Sequence, residues 1–151
     1  MNLQELLVTI HILAVAVWFG GSIMLSLFGF RTLNSGDLAQ KTAFTKTAEA
    51  AGRLLMIGGI ATAVFGIWAV IESDFWEFSD SWIGIGIGAA ALGAVLGAAF
   101  FAPQVRRAFS LYSAGDEAQG DRVVRKIATV AQFELLVLLI TVAVMVAKPG
   151  A

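Results

Sequence analysis

Four long stretches of this chain are almost free of charge: about Leu3 to Phe30, Leu54 to Ile71, Trp82 to Ala102 and Ile127 to Ala147. A helix rises about 1.5 Å per residue and bilayer hydrocarbon is ~30 Å thick, so each stretch meets or approaches one crossing. Short connections make an up-down-up-down antiparallel bundle the simplest arrangement. The expected fold is therefore all-α, an integral membrane four-helix bundle in a single transmembrane domain. Its helices are expected at about 3–30, 38–71, 80–102 and 122–147. Composition agrees, with 58% hydrophobic and 14% charged residues and a mean hydropathy of +0.83, far from the balance of a soluble domain. The first partner of such a chain is the lipid bilayer.

The first stretch is not expected to be a removable leader. It lacks a basic leading region, carries Glu5, runs too long and shows no convincing small-residue cleavage site. Loop charges set an expected orientation. Arg31, Lys41, Lys46 and Arg53 lie between the first two apolar stretches, and Arg106, Arg107, Arg122, Arg125 and Lys126 between the last two. The connection "ESDFWEFSDSW" holds Glu72, Asp74, Glu77 and Asp80 with no basic residue. The positive-inside rule then places both basic loops in the cytoplasm and both termini outside, in a bacterial inner membrane. Only Lys148 opposes this, while Trp76, Phe78 and Trp82 suit an interfacial aromatic belt. "GDLAQKTAFTKTAEAAGR" carries the second helix beyond its apolar part, Pro103 marks the exit of the third, and Asp121 after Gly120 caps the fourth, leaving "LYSAGDEAQG" as a loop.

A net charge of −1 carries no hint of nucleic-acid binding, which needs a clustered basic face rather than an even balance, and no nucleic-acid partner is expected. Without cysteine there is no disulfide, thiolate metal site or thiol catalysis. "GIGIG" in the third stretch has neither the spacing nor the lysine of a phosphate loop. It belongs instead to small residues at four-residue spacing, Gly86 with Ala90 and Ala89 with Gly93 and Gly97, matched by Gly58, Thr62 and Gly66 in the second stretch. In lipid, close backbone approach of this kind holds helices together. Gly20, Gly21, Gly58, Gly66, Gly86, Gly93 and Gly97 are the expected packing positions.

Two polar residues stand inside apolar spans. His11 is the only histidine, and Glu134 is the only acidic residue deep in a span. A carboxyl in the membrane must face the bundle and find a partner, or be protonated. Arg53, with a long side chain at the inner boundary, is the favoured mate, and His11 could join through water, Ser22 or Thr141. An intramembrane polar contact of His11, Arg53 and Glu134 is expected.

His11 has sharper readings. Haem b would need a second axial ligand from Met24, Met56, Met145 or another protomer. His11 and Met24 are about 20 Å apart along one helix and cannot share a copper ion, and zinc lacks a ligand set. A quinone needs less, and His11, Trp18 and Ser22 share one helix face at offsets of seven and eleven residues. A bound haem or quinone thus stays open beside no cofactor at all, and no catalytic or metal residue is assigned.

"HILAVAVWFGGSIML", "FSDSWIGIGI", "FFAPQVRRAFSL" and "VMVAKPG" together resemble an uncharacterised bacterial family of predicted integral membrane proteins with a domain of unknown function. The resemblance spans nearly the whole chain and implies a four-helix fold without an assigned activity. Its recurring positions correspond to His11, Trp18, Gly20, Gly21, Trp82, Pro103, Lys148, Pro149 and Gly150. A histidine seven residues before a tryptophan and a glycine pair is also similar to the opening helix of copper-resistance D type membrane proteins, which would imply copper handling. Three functions are thus in view. The chain could be an accessory or scaffold subunit of a membrane complex, or a homo-oligomer, without catalysis of its own. It could be a haem- or quinone-binding redox protein using His11. Or it could transport protons or a small solute, copper included, using Glu134.

Overall fold

The computed structural model describes residues 2–148, which form helices and short connections with no strand. The helices are α1 (Leu3–Leu33), α2 (Leu38–Ile71), α3 (Ser81–Ser113) and α4 (Glu117–Ala147), and all four are long and apolar enough to cross a membrane. Pro149 and Gly150 lie outside the described residues.

Local chemistry sets the helix ends. Asn2 and Glu5 form a reciprocal capping box at the start of α1. Gly36 takes a positive φ of 66° in the tight turn to α2, whose first amides, at Ala39 and Gln40, donate to the Asp37 carboxylate.

Two expected boundaries are corrected. Pro103 does not end α3, which continues to Ser113 through a π-helical segment, Leu96–Phe101. Proline lacks an N–H and its ring crowds the carbonyl four residues back. In the turn just ahead of it, the Ala102 amide reaches Gly97 O, five residues back, so the ladder is already rearranged and absorbs the ring. The fourth helix begins at Glu117 rather than 122, capped by Asp116, whose side chain accepts from the Gln119 amide. Asp121 is not the cap because its carboxylate is engaged elsewhere, as described below.

Each helix packs on its neighbours in chain order, and α4 closes back onto α1. The interior has three levels. At one end Val70, Trp82 and Ile83 pack with Trp76, Val144 and Met145. At the other, Leu33, Ala108, Tyr112, Val123 and Val124 form a second cluster. Between them Trp18, Thr62, Glu134 and Leu138 are buried. Leu13, Leu27, Ile57, Val95, Leu139 and Ile140 project outwards, as expected where hydrocarbon rather than water is the solvent.

Candidate functional site

The middle level is where the four helices meet. Trp18 of α1 is 8% exposed and Glu134 of α4 is 7% exposed. The Trp18 ring crosses the bundle. A Cβ at Gly59 of α2 would lie 3.5 Å from its Cδ2 and Cε2, and one at Gly93 of α3 would collide with its far edge and stand 3.3 Å from Glu134 Oε1. Glycine at 93 is what admits the ring, and the ring fills the space between α1, α2 and α3.

His11 sits two helical turns before Trp18 on the same face of α1. Its Nδ1–H donates to the Thr62 carbonyl oxygen at 2.8 Å, which fixes the proton on Nδ1 and leaves Nε2 the lone pair when the ring is neutral. The ring lies over Gly66, where a Cβ would come within 2.7 Å of it. Thr62 turns its own hydroxyl to Gly58 O at 2.9 Å. Gly58, Thr62 and Gly66 recur every four residues, so one small-residue stripe of α2 receives both His11 and Trp18.

The structure brings together only part of the expected set. His11 and Trp18 share the α1–α2 seam, and Glu134 faces it from α4, while Arg53 is exposed. No ion pair joins Arg53 to Glu134 among the described residues. The reason is phase: Arg53 precedes Gly58 by five residues, about 140° around α2 from the buried stripe. Ser22 is half-buried and forms no side-chain hydrogen bond among the described residues. Glu134 likewise forms no hydrogen bond or ion pair among the described residues. Of the expected packing glycines, Gly21 meets Leu55, Gly58 the α1 backbone, Gly66 His11, Gly86 Met145, and Gly93 Trp18. A Cβ at Gly20 or Gly97 would meet nothing within 4 Å. Gly29 under Phe44, Gly59 under Trp18 and Gly120 under Tyr112 were not anticipated.

A second polar assembly, unforeseen in the sequence, lies at the Tyr112 end. Lys41, 2% exposed, donates to Glu117 Oε1 at 2.7 Å and to the two Asp121 oxygens at 2.9 and 3.0 Å. Tyr112 Oη donates to Asp121 Oδ1 at 2.8 Å. These residues lie outside the apolar spans, on helix extensions. Burial alone would lower the Lys41 ammonium, but hydrogen bonds and charges from Glu117 and Asp121 outweigh it and hold it above its ordinary 10.5. Burial pushes the Tyr112 hydroxyl upward, Asp121 and Glu117 add to this, and Arg125 opposes it. The available signal was the single tyrosine, eight and nine residues before Gly120 and Asp121, read as lying in a loop. At the opposite end Lys148 Nζ lies 4.4 Å from the Trp76 ring centre and 5.5 Å from that of Trp82, so the lone basic residue there has an aromatic partner.

No group of three histidine, aspartate or glutamate side chains is poised to hold a metal among the described residues. The Nε2 of His11 has the right chemistry for one axial bond, with its Nδ1–H already oriented by a carbonyl. No curated protein and no solved structure matches, and the likeness to copper-resistance D type proteins is not shown. Residues 5–149 match the family described as Predicted integral membrane protein (DUF2269). With its four apolar helices and a match running nearly end to end, the chain belongs to that family of predicted integral membrane proteins of unknown function.

Proposed function

We propose that this protein is a multi-pass subunit without chemistry of its own, an accessory or scaffold component of a membrane complex or a homo-oligomer. It sits in a bacterial cytoplasmic membrane as an up-down-up-down bundle, with both termini outside and the Lys41 end in the cytoplasm. The observation that carries this reading is the use made of the central side chains. His11 ties α1 to the Thr62 carbonyl of α2, and the Trp18 ring fills the centre between Gly59 and Gly93. The residues best suited to a ligand slot are occupied in helix packing. Contact order supports the topology: His11 meets Gly66, Trp18 meets Gly58 and Gly29 meets Phe44, while Gly86 meets Met145 and Gly120 meets Tyr112. Nine of the ten basic residues lie toward one end.

The test is purification from native membranes in mild detergent, with the mass of the particle and its visible spectrum measured together. A partner at fixed stoichiometry or a defined homo-oligomer, with a featureless spectrum, is expected. A monomer with a Soret band that disappears in His11→Ala would move the protein to the redox class. One observation favours a second reading: Glu134 is 7% exposed and without a hydrogen bond or ion pair among the described residues, the placement of a proton-carrying intramembrane carboxyl. Proton flux into liposomes that is abolished in Glu134→Gln would replace the scaffold reading with transport.

A further inference from the structure

At the Tyr112 end, α3 and α4 leave a cleft of about 290 Å³ lined by Gln104, Arg107, Gln119, Arg122, Val123 and Lys126. Three cations converge here, and none forms an ion pair among the described residues. The neighbouring carboxylates turn elsewhere: Glu117 and Asp121 hold Lys41, and Asp116 accepts from Gln119 Nε2 at 2.8 Å. The cleft therefore gathers three cations that sit outside any ion pair among the described residues, with Gln104 and Gln119 beside them. Its depth is that of a lipid phosphate, because Lys126 directly precedes the apolar run of α4 and Arg107 follows the apolar part of α3 by about one turn.

Below it the same seam turns apolar. A second groove, about 230 Å³, is lined by Gly88, Ala89, Leu92, Val137, Ile140 and Thr141 among others. On α4, Gln119 and Val137, Arg122 and Ile140, and Val123 and Thr141 are each eighteen residues apart, five full turns, so cleft and groove lie on one stripe. On α3 this alignment depends on the π segment. Gly88 and Arg107 are nineteen residues apart, which in an unbroken α-helix would put them about 100° out of phase. One extra residue in the π turn removes that offset, leaving about eighteen helical steps. Phe100, within the segment, lies 5.5 Å below Lys126 Nζ and joins the basic cleft to the apolar seam. The groove's near edge at Val137 is eleven residues from Lys126, about 16 Å, close to half of a ~30 Å hydrocarbon layer. An acyl chain of one leaflet spans that distance.

We infer that the α3–α4 seam binds an anionic phospholipid, its phosphate held by Arg107, Arg122 and Lys126 and its acyl chains lying along the stripe past Phe100 toward Leu92 and Val137. Guanidinium groups suit phosphate oxygens by their paired donors. The test uses the full chain, purified and delipidated in nonionic detergent, with thermal unfolding followed on addition of phosphatidylglycerol, phosphatidylcholine of the same chain length, or inorganic phosphate. Phosphatidylglycerol alone is expected to raise the unfolding midpoint. The triple variant Arg107→Gln, Arg122→Gln, Lys126→Gln is expected to need about a hundredfold more of it, about fivefold for each lost cation. A control losing the same charge elsewhere, Arg31→Gln, Lys46→Gln, Arg53→Gln, should respond like the parent. Should the triple variant not fold, Arg122→Gln alone is expected to weaken the response several-fold. An equal response to phosphatidylcholine, a full response to inorganic phosphate, an unweakened triple or single variant, or an equal loss in the control would each overturn the site.

Discussion

The glycines at the bundle centre differ in what they tolerate, and the difference can be measured. A Cβ at Gly93 would run into the Trp18 ring, which is already held against Gly59. Gly93→Ala is expected to destabilise the protein by about 1–3 kcal/mol, the usual range for overpacking. At Gly58 a Cβ meets Trp18 N at 3.5 Å and Ala14 O at 3.6 Å, ordinary contact distances. Gly58→Ala is therefore expected to be neutral or to stabilise by up to ~1 kcal/mol through helix propensity. Unfolding of both variants in detergent checks this, and a reversed order would show that α1 and α2 meet more tightly at Gly58 than ordinary contact distance. Small-residue spacing in the sequence marked both positions alike. It identified stripes but could not say what stands opposite each member, since that depends on a side chain contributed by another helix. Gly20 and Gly21 show the limit: adjacent residues point about 100° apart on a helix, and only Gly21 finds a neighbour, Leu55. Glu134 and His11 were legible as exceptions for the opposite reason, being polar where nearly everything else is apolar.

Helix interiors could be read from hydropathy, but the helix ends could not. Pro103 is a stop signal only where the ladder before it is α-helical, and the π segment Leu96–Phe101 removes that condition. "AGDEAQGD" offers two aspartates as caps, and Asp121 is withdrawn by contacts from Lys41, 80 residues away in sequence, and Tyr112. The extensions gained in this way hold three helices together through one buried assembly, with a pH dependence of definite sign. Both Lys41 and Tyr112 have their protonated forms favoured in the folded state. Their contribution is complete below the unfolded values near 10 and disappears as pH rises through the raised folded ones. The unfolding midpoint is expected to fall above about pH 10, more steeply than in the variant carrying Lys41→Gln and Tyr112→Phe, which starts lower. Parallel alkaline declines in the two proteins would remove this assembly as the cause. Glu117, Asp121 and Arg125 face the pair and are present in both, so the difference isolates Lys41 and Tyr112.

The whole molecule is polarised between two unlike ends. One carries Trp76, Trp82 and Lys148 stacked together, beside a connection whose charges are all acidic. The other buries a lysine between two carboxylates and opens a cleft where three cations converge. Basic residues in short loops resist translocation, whereas acidic ones contribute little, so the second end is expected to stay in the cytoplasm. The absence of cysteine makes this easy to test, because a single introduced thiol is the only one that can react. Asp74 and Ser113 are exposed at the opposite ends. In right-side-out vesicles a membrane-impermeant maleimide is expected to modify Asp74→Cys at once and Ser113→Cys only after permeabilisation. The reverse pattern would invert the orientation and place the basic cleft against the outer leaflet. Labelling of both from one side would overturn the proposed up-down order, in which a single passage of α3 separates Asp74 from Ser113.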